Sequence, residues 1–157
     1  MACLFVYFGR FVNTKLTFLM YNRIYVRKFV QQEHLHLNMK PKHIKQLQAQ
    51  SRKLQARRVD HDTFVVESIS NPVANHVVTV KFERDGTIHT RCTCEWAVNQ
   101  GIACSHVMAA LEHLASMRGR TLSFWLTEEE AKRQKQRVFC LADQRRDDGV
   151  WITSRAG

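Results

Sequence analysis

Proline and glycine are scarce in this 157-residue chain, with two and six residues respectively. That scarcity excludes collagen-like, polyproline and flexible-linker classes, which need these residues in bulk. Long apolar runs are missing as well. The apolar stretch that opens the chain meets its first charge at Arg10, far short of the ~20 residues that span a bilayer. No basic residue precedes it and no small-residue cleavage site follows, so we expect neither a membrane anchor nor a secretory signal. Acidic residues are few: 14 Asp plus Glu face 24 Lys plus Arg, giving a net charge of +10 and a pI near 9.8. An evenly spread, even-numbered set of cysteines is also absent. Of five cysteines, three crowd between Cys92 and Cys104, which argues against a secreted disulfide framework. A reducing cytoplasm, where thiols stay free for a metal, fits this usage.

What is present describes one folding domain with flanking segments: 45% hydrophobic and 24% charged residues. Residues 1–38 form an apolar N-terminal extension rich in aromatic and β-branched types. Because Met39 opens a well-patterned polar segment, we expect residues 1–38 to be an upstream read-through. Residues 39–62 read as a basic helix. Ile44, Leu47, Leu54 and Val59 fall on a loose helical spacing, while Lys40, Lys42, Lys45, Arg52, Lys53, Arg57 and Arg58 fill the rest without one acid before Asp60. A solvated helix surface is one reading of those charges, and a phosphate-contacting surface is the other.

Strands follow. Alternation over 63–68 and 76–83, the Asp85-Gly86 turn and the return over 87–92 predict a three-stranded antiparallel meander. Val107, Ala110, Leu111 and Leu114 form the apolar stripe of a helix that Gly119 ends. Thr127 and Glu130 make a capping box for a C-terminal helix within 118–139, and residues 140–157 read as a loose tail.

Between hairpin and helix runs Cys92-Thr-Cys94, nine residues, then Cys104-Ser-His106. In extended backbone Cys92 and Cys94 project to one side. Cys104 just before a helix and His106 in its first turn can complete a tetrahedron, with Ser105 as N-cap. Three thiolates and an imidazole are the donors zinc prefers, and a full set of four protein ligands marks a structural site. Such binding is worth on the order of 10 kcal/mol, comparable to the stability of a small domain. Small core cysteines, a strained Cys92–Cys94 disulfide and a Cys₃His iron–sulfur cluster are the competing readings. His89 and His113 are the nearest spare imidazoles and read as surface groups.

This pattern resembles the SWIM zinc finger, defined by Cys-x-Cys, a variable spacer and Cys-x-His opening a helix, and 63–117 is the segment we expect to hold it. The resemblance implies a ββα zinc-binding unit, giving an α+β fold of a small three-stranded meander with flanking helices. It also implies DNA binding or protein–protein contact, the roles credited to the family in chromatin remodellers, Mutator-type transposases and some ubiquitin ligases. The reading is therefore a structural Zn²⁺ module that binds nucleic acid, DNA foremost, with weak sequence selectivity. The residues named for it are Lys42, Lys45, Arg52, Lys53, Arg57, Arg58 and Arg91, with Trp96 either a core anchor or a base-stacking group. The alternative is a zinc-stabilised protein-interaction adaptor using Phe124, Trp125 and Phe139. No phosphate-binding loop, His-Glu-x-x-His or activated nucleophile is present, so neither an enzyme nor a small-molecule substrate is expected.

Overall fold

The computed structural model describes residues 39–68, 71, 73–142 and 148–157. The chain divides into two units, Met1–His36 and Leu37–Gly157, and the described residues belong to the second. The expectation for residues 1–38 lies outside the described residues. Among those described, no helix is long and apolar enough to cross a membrane.

The elements in chain order are α1 (Ile44–Ser51), β1 (Ala56–Arg58), β2 (Thr63–Glu67), β3 (Asn75–Phe82), β4 (Thr87–Cys92), α2 (Glu95–Val98), α3 (Ser105–Ser116), β5 (Arg120–Trp125), α4 (Glu128–Lys132), β6 (Arg137–Leu141) and β7 (Val150–Ala156). The α+β class holds, but the sheet is not a three-stranded meander. It has seven strands in the order β1-β2-β3-β4-β6-β7-β5, mixed in direction and curved into a half-barrel. The expected meander is there as β2-β3-β4, antiparallel and turned at Gly86 with φ +88°. Beyond β4 the sheet continues through a parallel pairing with β6, then antiparallel β7 and β5.

The four extra strands fall in three segments read otherwise from the sequence: β1 in the expected 39–62 helix, β5 and the start of β6 in the expected 118–139 helix, and β7 in the expected tail. The capping box at Thr127 forms, its Oγ1 accepting the Glu130 N–H at 3.3 Å, but the helix ends at Lys132 and Lys135 takes φ +52°. Charge pattern alone carried the expected helix further than its few apolar residues could support. The expected loose tail contains β7, whose residues Val150 to Ser154 are all buried. A short continuous run of this kind suits a strand covered on both faces, and it lacks the alternation that marks a half-exposed one.

Helices α1 and α3 cover one face of the sheet, where Phe64, Val66, Val78, Val80, Ile88, Phe124 and Ile152 meet Val107, Met108 and Leu111. Helix α4 lies against β5 and β7 over a smaller cluster of Ala131, Cys140, Ala142 and Trp151. The expected basic helix also changes character: it stops at Ser51, and Ala56–Arg58 joins the sheet. Lys45 Nζ donates to the Phe124 carbonyl at 2.7 Å and sits 3.3 Å above the Trp125 ring, and Gln48 Nε2 donates to the Leu122 carbonyl at 3.0 Å. These bonds satisfy carbonyls of β5 at the sheet's outer edge, where unpaired backbone would otherwise invite another strand. Burial lowers the pKa of Lys45, offset in part by Glu130. Glu112 of α3 accepts from Gln48, Ser51 and Arg52, so α1 is tied to two neighbours at once.

Because β7 lies between β6 and β5, removing residues 150–157 is expected to abolish the cooperative thermal transition followed by circular dichroism. A loose tail would leave the melting curve in place.

Candidate metal centre

Cys92 closes β4 and is buried, and Cys94 follows in extended backbone as the N-cap of α2. After one turn of α2 the chain must come back on itself. Gln100 and Ala103 take φ +65° and +60°, a region that side-chain-bearing residues seldom adopt. They return the chain so that Cys104 precedes α3 and His106 sits in its first turn, as the spacing predicts. The N-cap is Cys104 rather than Ser105: its Sγ accepts the Val107 N–H at 3.4 Å. One sulfur thus caps a helix and faces the other donors.

Two contacts hold this return loop. The Met39 N–H donates to the Gln100 carbonyl at 3.1 Å and the Ile102 N–H donates to the Met39 carbonyl at 2.9 Å. The Trp96 indole lies flat on Gly101, where an added Cβ would overlap it, and Nε1 donates to the Ile102 carbonyl at 3.3 Å. Trp96 is therefore an anchor, yet 36% of its surface stays exposed.

One donor atom from each of Cys92, Cys94, Cys104 and His106 lies within 4.8 Å of every other. Around one ion with metal–sulfur bonds of about 2.3 Å, such donors stand about 3.8 Å apart, so a small inward movement closes the shell. His106 Nδ1 is buried and has no hydrogen-bond partner. A buried nitrogen without a partner is a defect in a metal-free core, and ligation at that atom would remove it. The thiols compete for protons. Hydrogen bonds from Cys104 and then Cys92 hold Cys94 far below the ordinary thiol range, with His106 adding to them. Cys104 is pushed up because it keeps its proton toward Cys92 and Cys94, and burial adds to this. The Cys104 hydrogen bond lowers Cys92, but the bond to Cys94 and burial outweigh it and push it up to about 11. One negative charge is thus favoured and two more resisted, until a cation supplies the countercharge.

His76 of β3 stacks on His106 with ring centroids 4.2 Å apart and a 44° tilt. Nothing in the sequence spacing signalled it, because the β2–β3 and β3–β4 registers bring it there. His113 instead packs edge-on to Phe64. His89 pairs with Lys81 on the sheet face turned away from α3.

The basic residues named from the sequence separate into groups. Lys45 braces β5. Arg52 pairs with Glu112 at 3.3 Å, and Arg58 donates to the Asp60 and His61 carbonyls at 3.0 and 2.6 Å. Lys42 is exposed on a groove beside the metal centre, and Lys53 is exposed beyond the end of α1. Arg57 and Arg91 are exposed on one face of the sheet, and Lys81, which the charge pattern did not single out, joins them. The alternation of Lys81 with Val80 and Phe82 was the available signal.

Replacing Cys104 by Ser, or His106 by Ala, is expected to lose the metal measured by elemental analysis and to unfold the 92–114 region. Cys140→Ser should keep the metal. Each thiol must lose a proton to bind, so metal affinity should fall with falling pH, on the order of tenfold per unit for each proton released. Gly101→Ala should displace Trp96 and weaken metal retention against a chelator, while leaving all four ligands present.

No curated protein and no solved structure matches the chain. Residues 76–115, from the start of β3 nearly to the end of α3, match the family model described as the SWIM zinc finger. The four clustered donors are the Cys-x-Cys and Cys-x-His pairs of that motif, and the chain carries a SWIM zinc finger.

Proposed function

We propose that the four-donor group holds Zn²⁺ as a structural ion and that the module it stabilises binds nucleic acid, DNA foremost, through phosphate contacts. The sulfur-rich donor set supports zinc. Four protein ligands fill its shell, so the reading is of a non-catalytic module working in the reducing cytoplasm, without a small-molecule substrate.

One observation carries the nucleic-acid reading. Directly paired residues share a face of a sheet, and the registers Arg57↔Val65↔Val77, Thr79↔Arg91 and Lys81↔His89 put Arg57, Lys81 and Arg91 on the face of β1–β4 opposite α3. All three cations are exposed, and Val77 between them is 41% exposed. Helix α4 covers the opposite end of the sheet, against β5 and β7. Glu67 shares the face at the far end of β2, leaving positive charge in excess. Cations fixed on strands track a phosphate backbone without reading base edges, so weak sequence selectivity is expected.

The aromatics named for the adaptor reading offer it little surface: Phe124 is fully buried, Trp125 lies beneath Lys45, and Phe139 is partly buried against the core beneath Arg137.

Fluorescence anisotropy with a labelled oligonucleotide tests the proposal. Affinity should fall steeply with salt, with a logarithmic slope of about −0.9 for each phosphate neutralised on duplex DNA. The double variant Arg57→Glu/Arg91→Glu should bind more weakly, with a slope shallower by about two. Salt-independent binding, or none by metal-loaded protein, would overturn the reading.

A further inference from the structure

We infer that the groove beside the metal centre receives one unpaired base on Trp96, which makes the preferred ligand single-stranded. This deepens the nucleic-acid reading and rests on it.

The groove has a volume of about 950 Å³. One wall is the segment entering α1, with Pro41, Lys42 and Leu47, and the other is the metal-binding loop with Trp96 and His106. His76, stacked on His106, closes one side. Trp96 combines two properties that a stacking platform needs. It is partly exposed, and its ring is fixed by Gly101 beneath it and by the Ile102 carbonyl. A base that stacks there therefore loses little freedom on the protein's side. Lys42 stands exposed on the same groove, and Glu95 is its one acidic lining residue. The phosphate then lies toward Lys42 and the base toward Trp96.

Two further features select a single strand. Among the described residues α3 is covered by the sheet, α2 and α4 have four and five residues, and α1 carries one cation, Lys45, held over the Trp125 ring, so no helix face presents a row of cations to a major groove. A paired base inside a duplex has both faces stacked and cannot reach Trp96. On its His76 side the groove also reaches the segment that follows β4. There Thr93 Oγ1 accepts the Val77 N–H at 3.1 Å and lies 3.5 Å from His76 Nδ1, two residues beyond Arg91.

The test compares dye-labelled oligo-dT with a duplex of equal length, using metal-loaded wild type, Trp96→Leu, Trp96→Phe, Lys42→Glu and Arg57→Glu/Arg91→Glu, with metal content measured for each. Wild type should prefer oligo-dT. Trp96→Leu should weaken oligo-dT binding about tenfold or more and leave duplex binding unchanged, and Trp96→Phe should restore most of the loss. Lys42→Glu lies outside the metal loop and should weaken oligo-dT selectively even if Trp96→Leu fails to hold metal. Binding that stays salt-dependent but is equal or tighter for duplex, and indifferent to Trp96 and Lys42, overturns this inference and leaves the proposed function standing. Wild type that binds neither probe overturns both.

Discussion

Between Cys94 and Cys104 the chain leaves the end of β4, makes one helical turn and has to reverse, so that a third thiol and an imidazole arrive beside the first two. Little in the local sequence favours that reversal. Two non-glycine residues take left-handed backbone, three buried thiols compete for protons, and one imidazole nitrogen is buried without a partner. A shared cation would resolve these together: it would give the imidazole a ligand role, let the thiols ionise, and contribute on the order of 10 kcal/mol, more than the strain of two unfavourable φ angles.

Much of the architecture follows from this constraint. Cys104 caps α3, so the metal donors also fix where that helix begins. Helix α3 packs across β1 to β5 and gives the sheet its principal core. Through Glu112 it fixes α1, and α1 in turn satisfies the outer carbonyls of β5. The four-donor group is thus linked through one helix to the far edge of a seven-stranded sheet, although its members fall within 15 consecutive residues, 92–106.

The division of labour among basic residues follows from the same packing. A positive charge near a carbonyl-rich edge is drawn into the structure, as Lys45 and Arg58 are. Arg57, Lys81 and Arg91 are on a strand face and Lys42 on a groove wall, while Lys53 lies beyond the end of α1. Function is proposed for the strand-face group because its members share a surface; membership of a charge-dense stretch of sequence is not enough.

How far the sequence could be read depended on whether its signals were local. The four metal donors were legible because two Cys/His pairs at fixed spacing suit a tetrahedral metal ion and little else. The β2–β4 meander was legible from period-two alternation and a turn that needs glycine at positive φ, and the start of α3 from its apolar stripe. Beyond these the local signal misled. Residues 150–154 carry no alternation because both faces of β7 are covered, and residues 128–137 carry helical charge without the apolar residues to hold a long helix. The stacking of His76 on His106, the pairing of Arg57 with the face of Arg91, and the bracing role of Lys45 were set by strand register and helix packing across separations of 30 to 79 residues. The sequence by itself determined the chemistry of the metal site, since donor type and spacing are local properties. The tertiary structure decided which of its many cations are engaged and which share a surface, because that depends on which carbonyls, carboxylates and neighbouring strands the fold brings within reach.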